Sequence, residues 1–269
     1  MGNLRIVLVE TAGARNLGSV ARVMKNFGLQ DLWLVNPQCD RLGDEAKQMA
    51  VHAPEILDNA HVVATLPQAL GECQRAIATV GRIDQGDLVV TEPALGLHWL
   101  GMVKESAIVF GSEDRGLSNA EIQYCQQVVR IPVSPAYPSL NLAQAVGICC
   151  YQWYLLQIDG QTHRQRHDEN APTNLATLPK IPQELTSQID QDLLESNPID
   201  LASLAELEGY YQQLESVLLK IGYLYPHTAF HRLQKFRQIG DRANLTSAEV
   251  TMLRGVLRQI NWATAHLDS

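Results

Sequence analysis

Three short stretches carry residue types that could do chemistry together. The first is Asn16-Leu17-Gly18-Ser19 with Arg22 four residues after the glycine. Gly18 lacks the Cβ that keeps backbone away from a ligand. Arg22 would share a face with the start of the helix, where free N–H groups and a guanidinium suit a phosphate. An ordinary exposed helix arginine fits the same spacing. The second is Phe110-Gly111-Ser112-Glu113-Asp114-Arg115-Gly116-Leu117, in which two glycines bracket two carboxylates and an arginine. Such carboxylates could hydrogen-bond ribose hydroxyls or orient an arginine; a polar turn is the alternative. The third runs from Ile131 through Pro132, Pro135 and Pro138 to Ser139 and Leu140. Each proline ring fixes φ and biases the residue before it away from helix. Ser139 is a candidate helix cap. The bare backbone of this loop could read an adenine edge, with Ile131 and Leu140 as apolar contacts.

These stretches need elements to hold them. Arg5–Val9 is an apolar, β-branched run, expected to be a buried parallel strand. It opens into a helix that Asn16 could cap, with Val20, Val23, Met24 and Phe27 as its stripe and Gly28 as its stop. Leu32–Val35 is a second strand, so the chain begins strand, helix, strand. Further strands are expected at 61–64, 75–79, 107–110 and 127–131. Helices are expected at 45–51, 66–73, 93–103 and 118–125, with a long one after Asn141 carrying Leu142, Val146, Cys149, Trp153 and Leu156. Arg82–Thr91 reads as a loop. Alternation of this kind implies an α/β domain with a mostly parallel sheet, its ligand site beyond the carboxyl ends of the strands. The periodicity spans residues 1–158. A polar linker follows over 159–181, then a helical part over 182–269.

Composition narrows the classes. A net charge of −8 argues against a generally basic nucleic-acid coat. Local charge differs: residues 183–216 hold eight acids and no base, whereas 220–258 hold seven Lys/Arg against Asp241 and Glu249. No apolar run approaches the ~20 residues that span a bilayer, and the N-terminus reads as a first strand rather than a signal peptide. Five cysteines, Cys39, Cys73, Cys125, Cys149 and Cys150, form no C-x-x-C pair and are expected to be reduced thiols in the cytoplasm. The pairs His163/His167 and His227/His231 lack an obvious third ligand, so no metal is expected. A G-x-G-x-x-G after the first strand is absent, which argues against a nucleotide-dependent oxidoreductase.

The three stretches, read as N-x-G-S-x-x-R, F-G-x-E-x-x-G-L and I-P…S-L-N, resemble in order and separation the motifs of the SPOUT superfamily of RNA methyltransferases. More narrowly, VLVETxxxxNxGSVARxMKNFGLxxLWLVNP resembles the TrmJ group of tRNA 2′-O-ribose methyltransferases. YYQQLESVLLKIGYL, RLQKF and LTSAEVTMLRGVLRQI resemble that group's helical extension. Periodicity alone would draw an open doubly wound sheet. The resemblance implies a SPOUT-type parallel sheet with a C-terminal trefoil knot, a rare exception to the rule against threading, plus a small all-α extension.

The resemblance also implies S-adenosyl-L-methionine as cofactor, tRNA as substrate and a homodimer. Carried over, the cofactor would be lined by Thr79, Val80 and Gly81 at one strand end, Gly111 at the next, and Ile131, Pro138, Ser139 and Leu140 in the knot. Arg22 matches the catalytic arginine. A guanidinium holds its charge to about pH 12, which suits positioning of a phosphate and stabilisation of a developing alkoxide better than proton abstraction. Asn16 would orient Arg22 or the ribose, Glu113 would hold the arrangement by pairing with an arginine, and Asn141 would support the same site. RNA would meet Arg82, Arg115, Arg232, Lys235 and Arg237. The expected reaction is 2′-O-methylation of cytidine or uridine at the first nucleotide of the anticodon loop. A ribosomal-RNA methyltransferase and a non-catalytic RNA-binding scaffold are the competing expectations. One departure bears on substrate choice: Arg82–Thr91 reads RIDQGDLVVT, with two acids and no aromatic, where Ser, Arg and Trp are expected.

Overall fold

The computed structural model describes residues 1–81, 89–165 and 201–267. Seven strands form one sheet: β1 (Asn3–Val9), β2 (Leu32–Val35), β3 (His61–Val63), β4 (Arg75–Thr79), β5 (Val89–Thr91), β6 (Glu105–Phe110) and β7 (Gln127–Val129). Their order is β3-β2-β1-β6-β4-β7-β5, and every pairing is parallel. The carboxyl ends of β1, β6, β4 and β7 therefore lie side by side, and the loops after them share one edge of the sheet.

Strand β5 falls where a loop was expected. Three residues cannot show a periodicity, and here Val90 and Thr91 pair with Val128 and Val129 only because β7 is beside them. Helix α3 (Pro54–Asp58), a single turn opened by its proline, is too short to show a helical periodicity in sequence. The other helices of this part are α1 (Ala14–Asn26), α2 (Asp44–Ala50), α4 (Leu66–Leu70), α5 (Pro93–Gly101), α6 (Asn119–Ile122) and α7 (Leu142–Gln165). Helix α7 continues past the expected boundary at residue 158, since extending a formed helix costs little beside nucleating one. The remaining linker residues and Arg82 lie outside the described residues.

Strand alternation sorts the core onto two faces. Leu4, Ile6 and Leu8 pack with Leu17, Val20 and Met24 of α1 and with Val146, Cys149 and Trp153 of α7. Val7 and Val9 point the other way, toward Leu66, Ala69 and Leu70 of α4 and Cys125. Burial of each large side chain contributes about 1.5–3 kcal/mol. The five cysteines are free thiols, as expected.

Gly18 has a packing role rather than the ligand contact expected of it. A Cβ there would sit 2.1 Å from the Ala46 carbonyl oxygen, so the glycine lets α1 and α2 touch. Gly18→Ala is expected to cost about 1–3 kcal/mol through overpacking, read as a melting temperature lowered by several degrees in a thermal scan.

The extension consists of α8 (Leu204–Lys220), α9 (Pro226–Ala243) and α10 (Ser247–Leu267) around Leu207, Tyr211, Leu214, Val217, Leu233, Val250 and Leu257. It is docked on the sheet domain by main-chain bonds, Leu204 N–H to Cys73 O at 2.8 Å and Ala205 N–H to Gly71 O at 3.1 Å. Gln74 Nε2 donates to Leu201 O at 3.2 Å, and Arg75, stacked 4.4 Å over Trp99, reaches Asn244 Oδ1 at 3.4 Å.

Candidate active site

The three chemical stretches follow β1, β6 and β7, and the sheet order brings them together. Glu113 is the junction. Its Oε1 accepts from Gly13 N–H at 3.1 Å and from Asn16 Nδ2 at 3.0 Å, and its Oε2 accepts from Ala12 N–H at 3.1 Å. Asn16 Oδ1 in turn accepts from Asn141 Nδ2 at 2.9 Å. One carboxylate and two amides thus join residues about a hundred positions apart. Burial pushes the Glu113 carboxyl up, but the bonds from Asn16, Ala12 and Gly13 outweigh it and hold the group below the usual glutamate value.

This geometry corrects three expectations. Glu113 pairs with an amide and backbone N–H groups and, among the described residues, with no arginine. Gly13 is the N-cap of α1, so Asn16 lies inside the helix, where its amide is available to Glu113 and Asn141. Asn141, not Ser139, caps α7: its Oδ1 accepts from Ala143 N–H at 2.9 Å, and Gln144 Oε1 accepts from Asn141 N–H at 3.3 Å.

Beside this cluster lies a cavity of about 720 Å³. Its wall contains Thr79, Val80, Gly81, Gly111, Ile131, Pro138, Ser139 and Leu140, all the residues the motif resemblance assigned to the cofactor, together with Glu113. Thr79 is tied across the strand ends, its Oγ1 donating to Val109 O at 2.9 Å, and Val80 N–H donates to Val129 O at 3.0 Å. The loop after β6 folds on itself through Gly116 N–H to Ser112 O at 2.9 Å. Gly116 has φ +70°, and a Cβ on Gly111 would lie 2.1 Å from the Gly116 carbonyl carbon. Both glycines are therefore required for the turn.

The basic residues divide. Arg22 is exposed on α1, makes no hydrogen bond or ion pair with the described residues, and is absent from the cavity wall. Six residues of helix place it roughly 9 Å along the axis from Asn16. Arg115 is held between Glu121 (2.9 Å) and Glu10 (2.6 Å), which raise its pKa further. Arg237 pairs with Glu208 at 2.7 Å and lies 4.5 Å over the Tyr211 ring. Arg232 and Lys235 are exposed. Among the described residues no cluster of His, Cys, Asp or Glu could hold a metal, and no helix is long and apolar enough to cross a membrane.

Sequence reasoning missed the far wall of the cavity, made by Gln234, Arg237, Gln238 and Asp241 of α9. Nothing local marks those positions, because their placement depends on how the extension docks. Burial pushes the Asp241 carboxyl up to about 7, with Arg237 pulling the other way. An unfolded aspartate titrates near ~3.9. Folding thus takes up a proton between these values, and this group's contribution to stability falls as pH rises through that window. Asp241→Asn is expected to melt higher than the parent at pH 8, the difference closing toward pH 4 in a thermal-scan series.

Residues 3–151 match the SpoU rRNA Methylase family, and residues 205–269 match the C-terminal domain of the tRNA methyltransferase TrmJ. The chain is 35% identical over 263 residues to the tRNA (cytidine/uridine/adenosine-2′-O-)-methyltransferase TrmJ of Pseudomonas aeruginosa, covering 96% of this chain and 94% of the relative. It is 36% identical to the tRNA (cytidine/uridine-2′-O-)-methyltransferase TrmJ of Cronobacter sakazakii, covering 96% of each. Among solved structures, TrmJ from Z. mobilis superposes with a TM-score of 0.75 at 27% identity, over 96% of this chain and 98% of that one.

Proposed function

The chain belongs to the SpoU methylase family and within it to the TrmJ group, and from that membership we propose that it is an S-adenosyl-L-methionine-dependent tRNA ribose 2′-O-methyltransferase. Its site is the first nucleotide of the anticodon loop, carrying cytidine or uridine. The observation that carries the reading is the Glu113–Asn16–Asn141 chain of hydrogen bonds, which locks the three motif loops together beside the cavity. The cavity suits the cofactor. Ile131, Val133 and Leu140 offer apolar surface for a purine, and a Cβ on Gly81 would meet no atom of the described residues within 4 Å. We infer that the stretch from Ile131 to Leu156, loop and helix together, is the knotted segment implied by the motif resemblance.

When bound, the cofactor supplies an electrophilic methyl on a sulfonium. The rest falls to the chain. In-line transfer needs the ribose 2′-hydroxyl held in register and its developing negative charge stabilised as its proton passes to solvent. Arg22, charged and uncommitted, serves the alkoxide and a flanking phosphate. Asn16 and Asn141, tied to Glu113 on the cavity wall, steady the start of α1, the helix that carries that arginine.

A homodimer is part of the proposal. Ile148, Tyr151 and Tyr154 of α7 are each about two-fifths exposed, and both tyrosines pack against Phe27 at 5.8 Å. That contiguous apolar face beside α1 suits a second copy. For RNA, Arg232 and Lys235 on α9, next to exposed Tyr223, Tyr225 and Phe230, combine phosphate-binding charge with stacking rings. Arg115 and Arg237 are already neutralised by carboxylates and are weaker candidates. Residues 1–158 form the methyltransferase domain and 182–269 the extension, with the linker of 159–181 entered as a continuation of α7. We place the protein in the cytoplasm, where its substrate is made.

The test is methyl transfer from labelled S-adenosyl-L-methionine to unmodified tRNA, with nucleotide mapping. Label at the anticodon-loop ribose is expected. Label on ribosomal RNA alone would overturn the substrate, and no label on either would leave only an RNA-binding scaffold.

A further inference from the structure

The extension reaches the cofactor cavity and is held there firmly. A Cβ on Gly240 of α9 would lie 2.2 Å from Tyr211 Oη, so α9 and α8 are in close contact. Tyr211 Oη donates to Arg237 O at 3.4 Å. The Arg237 guanidinium sits over the Tyr211 ring and 2.7 Å from Glu208 Oε2, an ion pair whose angles fall short of a directed hydrogen bond. Helix α8 is itself anchored to the sheet domain at Gly71 and Cys73. Helix α9 is thus a fixed part of the wall.

Asp241 differs from Arg237, one turn earlier. Its carboxylate receives no hydrogen bond from the described residues, although it lies on the cavity wall near Cys125. Arg237 is its charged neighbour, but that guanidinium is engaged by Glu208. A carboxylate on a cavity wall with no donors of its own has free acceptor capacity, and a cationic ligand with N–H groups would fill it. The ammonium of an amino acid has three such donors; a sulfonium has none.

We propose that Asp241 of the helical extension accepts the α-ammonium of the bound cofactor, so that α9 completes a site otherwise built from the strand-end loops. The assignment rests on the cofactor reading above. It means that the part of the chain facing tRNA also touches the cofactor, so the affinities for the two are linked reciprocally.

The experiment is calorimetric titration of the full-length chain and of Asp241→Asn with two ligands, S-adenosylhomocysteine and 5′-methylthioadenosine. Only the first carries the α-ammonium; neither carries the sulfonium. The expected result is about a tenfold weaker binding of S-adenosylhomocysteine by the variant, a typical loss for a charged hydrogen bond, with 5′-methylthioadenosine unchanged. Unchanged affinity for S-adenosylhomocysteine, or equal weakening of both ligands, would overturn the assignment. Failure of the unmutated chain to bind either ligand would instead remove the cofactor reading, and the assignment with it. Hydrogen exchange of the unmutated chain gives a test without a substitution. S-adenosylhomocysteine, but not 5′-methylthioadenosine, should slow exchange over residues 234–241, and no such difference would refute the contact.

Discussion

Arg22→Ala should reduce methyl transfer to tRNA by about 100- to 1000-fold, the loss seen when one preorganised group is removed from a developing oxyanion. Cofactor affinity should stay close to that of the parent, because Arg22 is not on the cavity wall. The two readouts separate the proposed role from a general collapse. The side chain is exposed on α1 and bonded to none of the described residues, so its removal leaves no buried group unpaired. Arg22→Lys should recover only a small part of the rate, since an ammonium keeps the charge but not the planar fork. Single-turnover transfer combined with cofactor titration checks both variants. A fall in cofactor affinity matching the fall in rate would argue against the role.

Glu113→Gln is expected to lower transfer by about 100-fold for a different reason. The carboxylate accepts three hydrogen bonds that tie the first motif to the second. An amide offers one acceptor oxygen and turns an N–H group toward donors. Each lost charge-assisted bond costs about 1.5–3 kcal/mol, so residues 12–16 should loosen and carry Asn141 with them. The pH dependence follows from the lowered pKa of Glu113. Its stabilising contribution is complete above the unfolded glutamate value of about 4.3 and is lost as pH falls through the folded value. The parent should therefore lose melting temperature steeply on acidification below about pH 4, and Glu113→Gln should show a shallower acid limb. Identical limbs would mean that the carboxylate does not hold the loops. Rescue of transfer by Glu113→Asp is not expected, as the shorter side chain cannot span the same donors.

Much of the site could be read before any fold was known. Gly111 and Gly116 mark a turn that only glycine permits, and the prolines before Ser139 mark a stiff loop; both properties are local. The residues carried over to the cofactor all stand on the cavity wall. The roles of polar residues were less legible. Ser139 and Asn141 are both good caps, and which one serves depends on where α7 begins. Gly18 looked like a ligand contact, but its neighbour is Ala46, brought there by the packing of α2. Arg115 and Arg237 are expected from sequence to meet RNA, and nothing local marks Glu10, Glu121 and Glu208 as their partners, which tertiary placement chooses.

By itself the sequence determined the alternation of strands and helices, the loops that follow strand ends and the chemical types within them. These depend on side-chain periodicity and backbone preference over a few residues. The tertiary structure decided which loops meet, which carboxylate faces which donor, and that α9 closes the cavity. Glu113 and Asn16 are 97 residues apart, and Asn141 and Asn16 are 125 apart. No local preference acts over such distances; the strand order β1-β6-β4-β7 and the docking of α8 on Gly71 and Cys73 do. Those arrangements are set by burying both faces of one sheet at once, a condition on the whole chain.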